Sequence, residues 1–197
     1  MRPEATDVDY PGLPKRLLLT AAAGFLAFQS VGLLTIVGRG AVPPALFQVF
    51  YGLALGLFVT GVFAFLGFAW PTQGLLPEGY YTVRAPRRLR RVYRALGVGA
   101  FRRLLLATFW RSDAQRAKYF TGTRAGFGRL VTMSRKSEFG HLVPLVLCAG
   151  AGAWLAAAGW WWAAGALTAA NVFGNGYPIV LQREHRRRVG VLARRYG

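Results

Sequence analysis

The chain has 197 residues, 54% of them hydrophobic, and carries 25 Lys and Arg against seven Asp and Glu, a formal net charge of +18. So basic a soluble domain would suggest a nucleic-acid partner, but the charge is excluded from two long stretches, with none between Arg39 and Glu78 and none between His141 and Arg183. Each stretch exceeds the roughly 20 apolar residues a bilayer-crossing helix requires, which favours membrane spans over a soluble bundle of buried helices.

Taken in chain order, the sequence predicts an all-α integral membrane protein, a single membrane domain over 1–197 with four transmembrane helices at about 17–38, 45–70, 142–158 and 161–182. The first run is uncharged from Leu17 to Gly38 and follows an acidic, Pro-containing lead. It is longer than the core of a cleavable signal, about 7–15 residues. Arg39-Gly40-Ala41-Val42-Pro43-Pro44 reads as a tight turn, and the two prolines suit a helix start, where amide donors are unpaired anyway. Gly52 and Gly56 in the second span form a GxxxG strip, and "CAGAGAW" (148–154) forms another in the third; both permit close helix packing in lipid. Trp160, Trp161 and Trp162 fall at the expected turn between the third and fourth spans, as residues at a membrane surface do.

Between the second and third spans, segment 71–139 holds 15 basic residues against Glu78, Asp113 and Glu138. "PRRLRRVYRAL" (86–96) sets Leu89, Val92, Tyr93 and Leu96 at helical spacing, and "FRRLLLATFWR" (101–111) is shorter and more apolar. "FGRLVTMSRKSEFGH" (127–141) is expected to run straight into the third span. These read as cytoplasmic amphipathic or interfacial helices, with apolar faces in the leaflet and arginines on lipid phosphates; a sharper reading has some of the arginines holding a phosphate-bearing or acidic substrate. With four spans, all basic residues but Arg39 fall on one side, which predicts a multi-pass protein of the cell membrane with both termini cytoplasmic.

Polar residues at membrane depth are costly and are site candidates by default. Glu138 and His141, three apart on one helix face, fall at the edge of the third span. An antiparallel pairing of the third and fourth spans brings Asn175, Tyr177, Gln182 and Arg183 to the same level, and Asn171, Asn175 and Gln182 line one side of the fourth. Gly174-Asn175-Gly176 and Pro178 interrupt that span, which frees backbone groups and often marks a cavity. A carboxylate that orients an imidazole makes it a competent base towards a hydroxyl, so Glu138 and His141 are the expected catalytic pair, with Arg183 or the Asn175 and Gln182 amides stabilising charge on a reacting carbonyl. The alternative is an interhelical hydrogen-bond network without chemistry. A metal site is not expected, since Glu138 and His141 supply only two ligands and His185 is the one other imidazole. Cys148, the sole cysteine, excludes an internal disulfide, and an apolar span makes it a poor nucleophile.

"SEFGH" (137–141), followed by "NGYPIVLQREHRRRV" (175–189), resembles the glycosyl-4,4'-diaponeurosporenoate acyltransferases, in which an AExxH-like element precedes a hydrophobic hairpin ending in N-x-x-P…QRYNRxR. The matching positions are Glu138, His141, Asn175, Pro178, Gln182, Arg183, Arg186 and Arg188. The resemblance covers 133–190, with a looser likeness over 80–111 that includes "YYTVR". Here Glu184-His185 replaces Tyr-Asn, and Met133 stands where a glutamate is expected. The His-x4-Asp signature common among acyltransferases is absent. The resemblance implies transfer of a fatty acyl group to a hydroxyl of a glycosylated carotenoid or similar terpenoid lipid at the cytoplasmic face. His141 and Glu138 would be catalytic, with Asn175, Gln182, Arg183, Arg186 and Arg188 binding substrate, joined by Asn171 and Tyr177, which spacing alone brings to the same site. No resident cofactor or metal is implied, an acyl thioester such as acyl-CoA or acyl carrier protein being the co-substrate. The implied partners are membrane lipids, the lipid-soluble glycoside and the acyl donor, with no nucleic acid. A different lipid-modifying membrane enzyme, or a non-catalytic membrane subunit, would use the same cluster otherwise.

Overall fold

The computed structural model describes residues 10–37, 40, 42–113, 117, 123 and 126–196. Among them the chain is helical throughout: α1 (Leu13–Val37), α2 (Ala45–Ala69), α3 (Glu78–Tyr81), α4 (Pro86–Ala95), α5 (Val98–Ala107), α6 (Phe127–Ala157), α7 (Trp161–Asn171), a π-helical segment (Val172–Gly176) and α8 (Tyr177–Tyr196). Arg39 and Ala41 of the expected first turn lie outside the described residues.

Among the described residues three helices are long and apolar enough to cross a membrane, α1, α2 and α6, not the four expected. The sequence-expected span 161–182 is divided. α7 has 11 residues, about 16 Å at 1.5 Å per residue, against a hydrocarbon core of roughly 30 Å. The wide turn from Val172 to Gly176 then breaks its register. The sequence signal behind the break is Gly174, Gly176 and Pro178: two residues of weak helix propensity and one with no amide hydrogen. α6 begins at Phe127, well before the predicted 142, so the segment "FGRLVTMSRKSEFGH" and the third span are one helix of 31 residues.

The chain forms two compact units. Among the described residues, one comprises Tyr10–Pro71 and Gly140–Gly176 and the other those of 72–139 and 177–196. In the first, the apolar unit, α2 begins directly after Pro44, and Gln48 bridges that entrance to the start of α7. Its Nε2 donates to the Pro43 carbonyl at 2.8 Å, and its Oε1 accepts from the Trp162 amide at 3.2 Å. Gly52 faces α7 so closely that a Cβ there would lie 2.3 Å from the Ala163 carbonyl oxygen. Only glycine fits. The core beside that contact is Tyr51, Leu55, Leu155, Trp160, Ala163 and Leu167, with the Tyr51 and Trp160 rings 5.0 Å apart. Trp160 is therefore a core residue, while Trp161 and Trp162 are exposed.

The second, basic unit packs Tyr93 of α4 with Val98 of α5 and Leu181 of α8. Part of the apolar face predicted for 86–96 is thus used inside the protein, and Val92 and Leu96 stay exposed. Gly97, at φ 62°, makes the sharp turn from α4 into α5, a conformation glycine adopts without the Cβ penalty.

Candidate functional site

In the basic unit, α6 and α8 meet through a buried ionic cluster. Glu138 is 0% exposed and accepts from Arg183 Nε at 2.7 Å and from Arg186 Nη2. Arg186, itself buried, also donates to Ser134 Oγ at 2.8 Å and to the Tyr81 carbonyl at 3.3 Å. Ser134 lies one turn before Glu138 and donates to the Gln182 carbonyl at 2.9 Å, while Gln182 Nε2 donates to Ser137 Oγ at 3.1 Å. A buried carboxylate demands such saturation, since an unpaired charge in a low-dielectric interior costs several kcal/mol. Two tyrosines frame the cluster: the Arg183 guanidinium lies 5.0 Å from the Tyr80 ring centroid, and those of Arg135 and Arg186 lie 5.2 and 5.5 Å from Tyr81. Burial and the neighbouring Glu138 carboxylate push the Tyr81 hydroxyl up to about 12, so it stays protonated. Arg135 closes the outer side with two bonds to Glu78, at 2.6 and 2.8 Å.

In the apolar unit, the polar centre is Asn175, buried in the π segment. Its Nδ2 donates to Thr60 Oγ1 and to Asn171 Oδ1, each at 3.0 Å, and Asn171 Nδ2 in turn donates to the Leu145 carbonyl at 2.9 Å. That use of Nδ2 turns Asn175 Oδ1 towards His141, whose Nδ1 lies 3.1 Å away. An amide oxygen only accepts, so Nδ1 of His141 carries the proton. The Gly174 backbone lies beside the same imidazole, so the helix break and the histidine are one arrangement.

The sequence expectation joined Glu138 to His141. The structure instead gives each its own partners, Arg183 and Arg186 for the carboxylate, Asn175 and Gly174 for the imidazole. Asn171 and Asn175 are joined as their spacing predicts, whereas Gln182 turns to Ser137. Arg186 is fully engaged inside the fold. Arg188 bonds Glu184 at 2.9 Å and lies 5.9 Å from the Tyr93 ring. Tyr177 packs edge-on against Phe101, with centroids 5.4 Å apart. Glu184, one of the two departures from the family pattern, is buried, and despite that burial the hydrogen bonds from Arg187 and Arg188 hold its carboxyl below the usual range. The other, His185, is pushed down to about 4 by burial and by Arg102 and Arg188. Among the described residues no three His, Cys, Asp or Glu side chains gather as metal ligands would.

Sequence reasoning overlooked Thr60, Ser134 and Ser137. Thr60 is a polar residue deep in an apolar run, and Ser134 lies on the same helix face as Glu138; both signals were present. Tyr81, whose carbonyl holds Arg186, entered only within the loosely similar "YYTVR".

The apolar unit also holds an open groove of about 570 Å³ between α1, α2 and α6, lined by residues such as Val59, Phe63, Val146, Leu147 and Trp154, with His141 and Asn175 outside its lining.

Comparison with known families finds one match to this chain, over residues 77–195, to the family described as glycosyl-4,4'-diaponeurosporenoate acyltransferase. That stretch contains Glu138, His141, the π segment and the arginines of α8. Searches of curated proteins and of solved structures find no match.

Proposed function

The chain belongs to the glycosyl-4,4'-diaponeurosporenoate acyltransferase family, and on that premise we propose that it is a multi-pass membrane acyltransferase that esterifies a hydroxyl of a glycosylated carotenoid or similar terpenoid lipid. The observation that carries the reading is the pair of half-buried His141 and buried Asn175 within the family-matched stretch. With Nδ1–H held by Asn175, Nε2 is the basic nitrogen. It takes the proton from the acceptor hydroxyl as the oxygen attacks the thioester carbonyl. The C–O bond forms, the C–S bond breaks, and the proton passes to the departing thiolate. The products are an ester and a free thiol. His141 is the catalytic residue of this scheme and Asn175 its positioning residue, with Asn171 and Thr60 fixing the amide.

Glu138 acts through the arginines. It fixes Arg183 by Nε, leaving the outer nitrogens of that half-exposed guanidinium as donors for a carbonyl or sugar oxygen. Gln182, Arg186, Arg188 and Tyr177 hold α8 in place around it. The apolar groove suits the hydrocarbon part of a lipid substrate.

The positive-inside bias supports a cytoplasmic location for the basic unit, in the cell membrane. Two long apolar helices separate the N-terminal lead from residue 72, which returns the chain to its starting side. The chain that leaves the basic unit after Phe139 is back in it at Tyr177, where Arg186 meets Glu138. Both termini are thus cytoplasmic in this reading.

The experiment is expression in a host that makes a glycosylated carotenoid, followed by mass spectrometry of its lipid extract. The reading predicts a new species heavier by one fatty acyl group minus water. An unchanged extract from cells with verified, folded protein contradicts it.

A further inference from the structure

The basic unit contains an open cleft of about 800 Å³ bordered by the chain from Pro77 to Ala85, by α4 and by the start of α8. Its lining mixes apolar Leu89, Val92 and Val180 with the basic Arg84, Arg88 and Arg183. Arg183, like Arg135, Arg186, Arg187 and Arg188 of the same unit, holds a carboxylate. Arg84 and Arg88 are exposed and have no such partner among the described residues.

Their position sharpens the point. α4 opens at Pro86 with no side-chain cap and no acid in its first turn, so its unpaired amide hydrogens add to the positive charge instead of being capped. Cations at a helix N-terminus are unfavourable unless an anion joins them. Two open guanidiniums beside an uncapped helix start, with apolar residues in the same lining, match a phosphate on an amphiphilic molecule. Tyr81 also borders the cleft, and its protonated hydroxyl is buried without a hydrogen-bond partner among the described residues.

We propose that this cleft binds the phosphate-bearing end of an amphiphile through Arg84 and Arg88, and, resting here on the acyltransferase reading, that the amphiphile is the nucleotide thioester donor of the acyl group. A phospholipid headgroup offers the same chemistry, and the test separates the two.

The full chain is placed in phosphatidylcholine nanodiscs and titrated with coenzyme A, for the wild type, for Arg84→Gln/Arg88→Gln and for His141→Gln. Coenzyme A binds the wild type and His141→Gln alike, and the double variant binds about tenfold or more weakly, as the loss of charged hydrogen bonds implies. Repeating the titration with phosphatidylglycerol in the disc identifies the source. Binding that persists assigns the cleft to the donor, whereas loss of binding, with lipid association dependent on Arg84 and Arg88, assigns it to a headgroup; either outcome keeps the phosphate site. If neither coenzyme A nor phosphatidylglycerol distinguishes the wild type from the double variant at equal thermal stability, the site is overturned. Steady-state kinetics separates this failure from that of the proposed reaction. The double variant raises the donor KM with kcat little changed, while His141→Gln removes kcat and leaves coenzyme A affinity intact.

Discussion

The two units handle polar groups in opposite ways. The basic unit buries a full charge, Glu138, and neutralises it with Arg183 and Arg186. The apolar unit joins a half-buried imidazole and two buried amides to a hydroxyl and a backbone carbonyl by neutral hydrogen bonds. An ion pair of the first kind is stable because its charges are locked; a proton added to its carboxylate would strand a guanidinium. The second arrangement leaves one imidazole nitrogen basic and able to change protonation without breaking the fold. The comparison teaches which of the two residues that the sequence set together is suited to proton transfer, and that residue is His141.

The largest expected effect breaks the first half of the comparison. Glu138→Ala leaves Arg186 buried without its counter-charge and destabilises the protein by about 3–5 kcal/mol, seen as a steep fall in the thermal midpoint in detergent. Asn175→Ala, the matching change in the apolar unit, removes only neutral hydrogen bonds, each worth about 0.6–2 kcal/mol between membrane helices. It lowers the midpoint less while reducing turnover strongly. If the two variants lose equal stability, the contrast between the units is wrong.

Next comes packing. Gly52→Val pushes a side chain into the Ala163 backbone and costs about 1–3 kcal/mol or more. Gly24→Ala, in α1 where an added Cβ meets nothing within 4 Å, is neutral or stabilising by up to about 1 kcal/mol. Thermal unfolding of both variants beside the wild type checks the pair.

The last contrast concerns pH. His185 titrates near 6.5 when unfolded and at about 4 in the fold, so the unfolded chain binds the extra proton between those values. Stability from this residue is therefore full above pH 6.5 and declines as pH falls towards 4. His185→Gln flattens the midpoint over that window. The carboxyls of Glu78 and Glu184, both held below their usual range by arginine, lose their contribution only at lower pH.

Much of this was legible in the sequence. The uncharged runs located α2 nearly to the residue and α1 but for its first turn, which begins at Leu13 and takes in Lys15 and Arg16; about twenty apolar residues in a row have few other solutions. Gly52 signalled a close helix contact, and Gly174 to Pro178 signalled the interruption that became the π segment. Hydropathy did not disclose that this interruption divides the predicted fourth span, since it averages over composition and ignores helix register. Nor did spacing reveal the partners of Glu138 and His141. Residues three apart share a helix face, but whichever groups the facing helices supply decide the hydrogen bonds, and Arg186 and Asn175 outcompete a neighbour on the same helix. Ser134 and Thr60 are short side chains with no motif of their own, visible as partners only once the backbones meet.

The central claim is tested most directly by turnover of His141→Gln. The variant is reconstituted with a glycosylated carotenoid and an acyl thioester after its thermal midpoint has been matched to the wild type. Loss of the acylated product by at least about a hundredfold, the scale of general base catalysis, is the predicted result. Undiminished product from that folded variant would contradict the account.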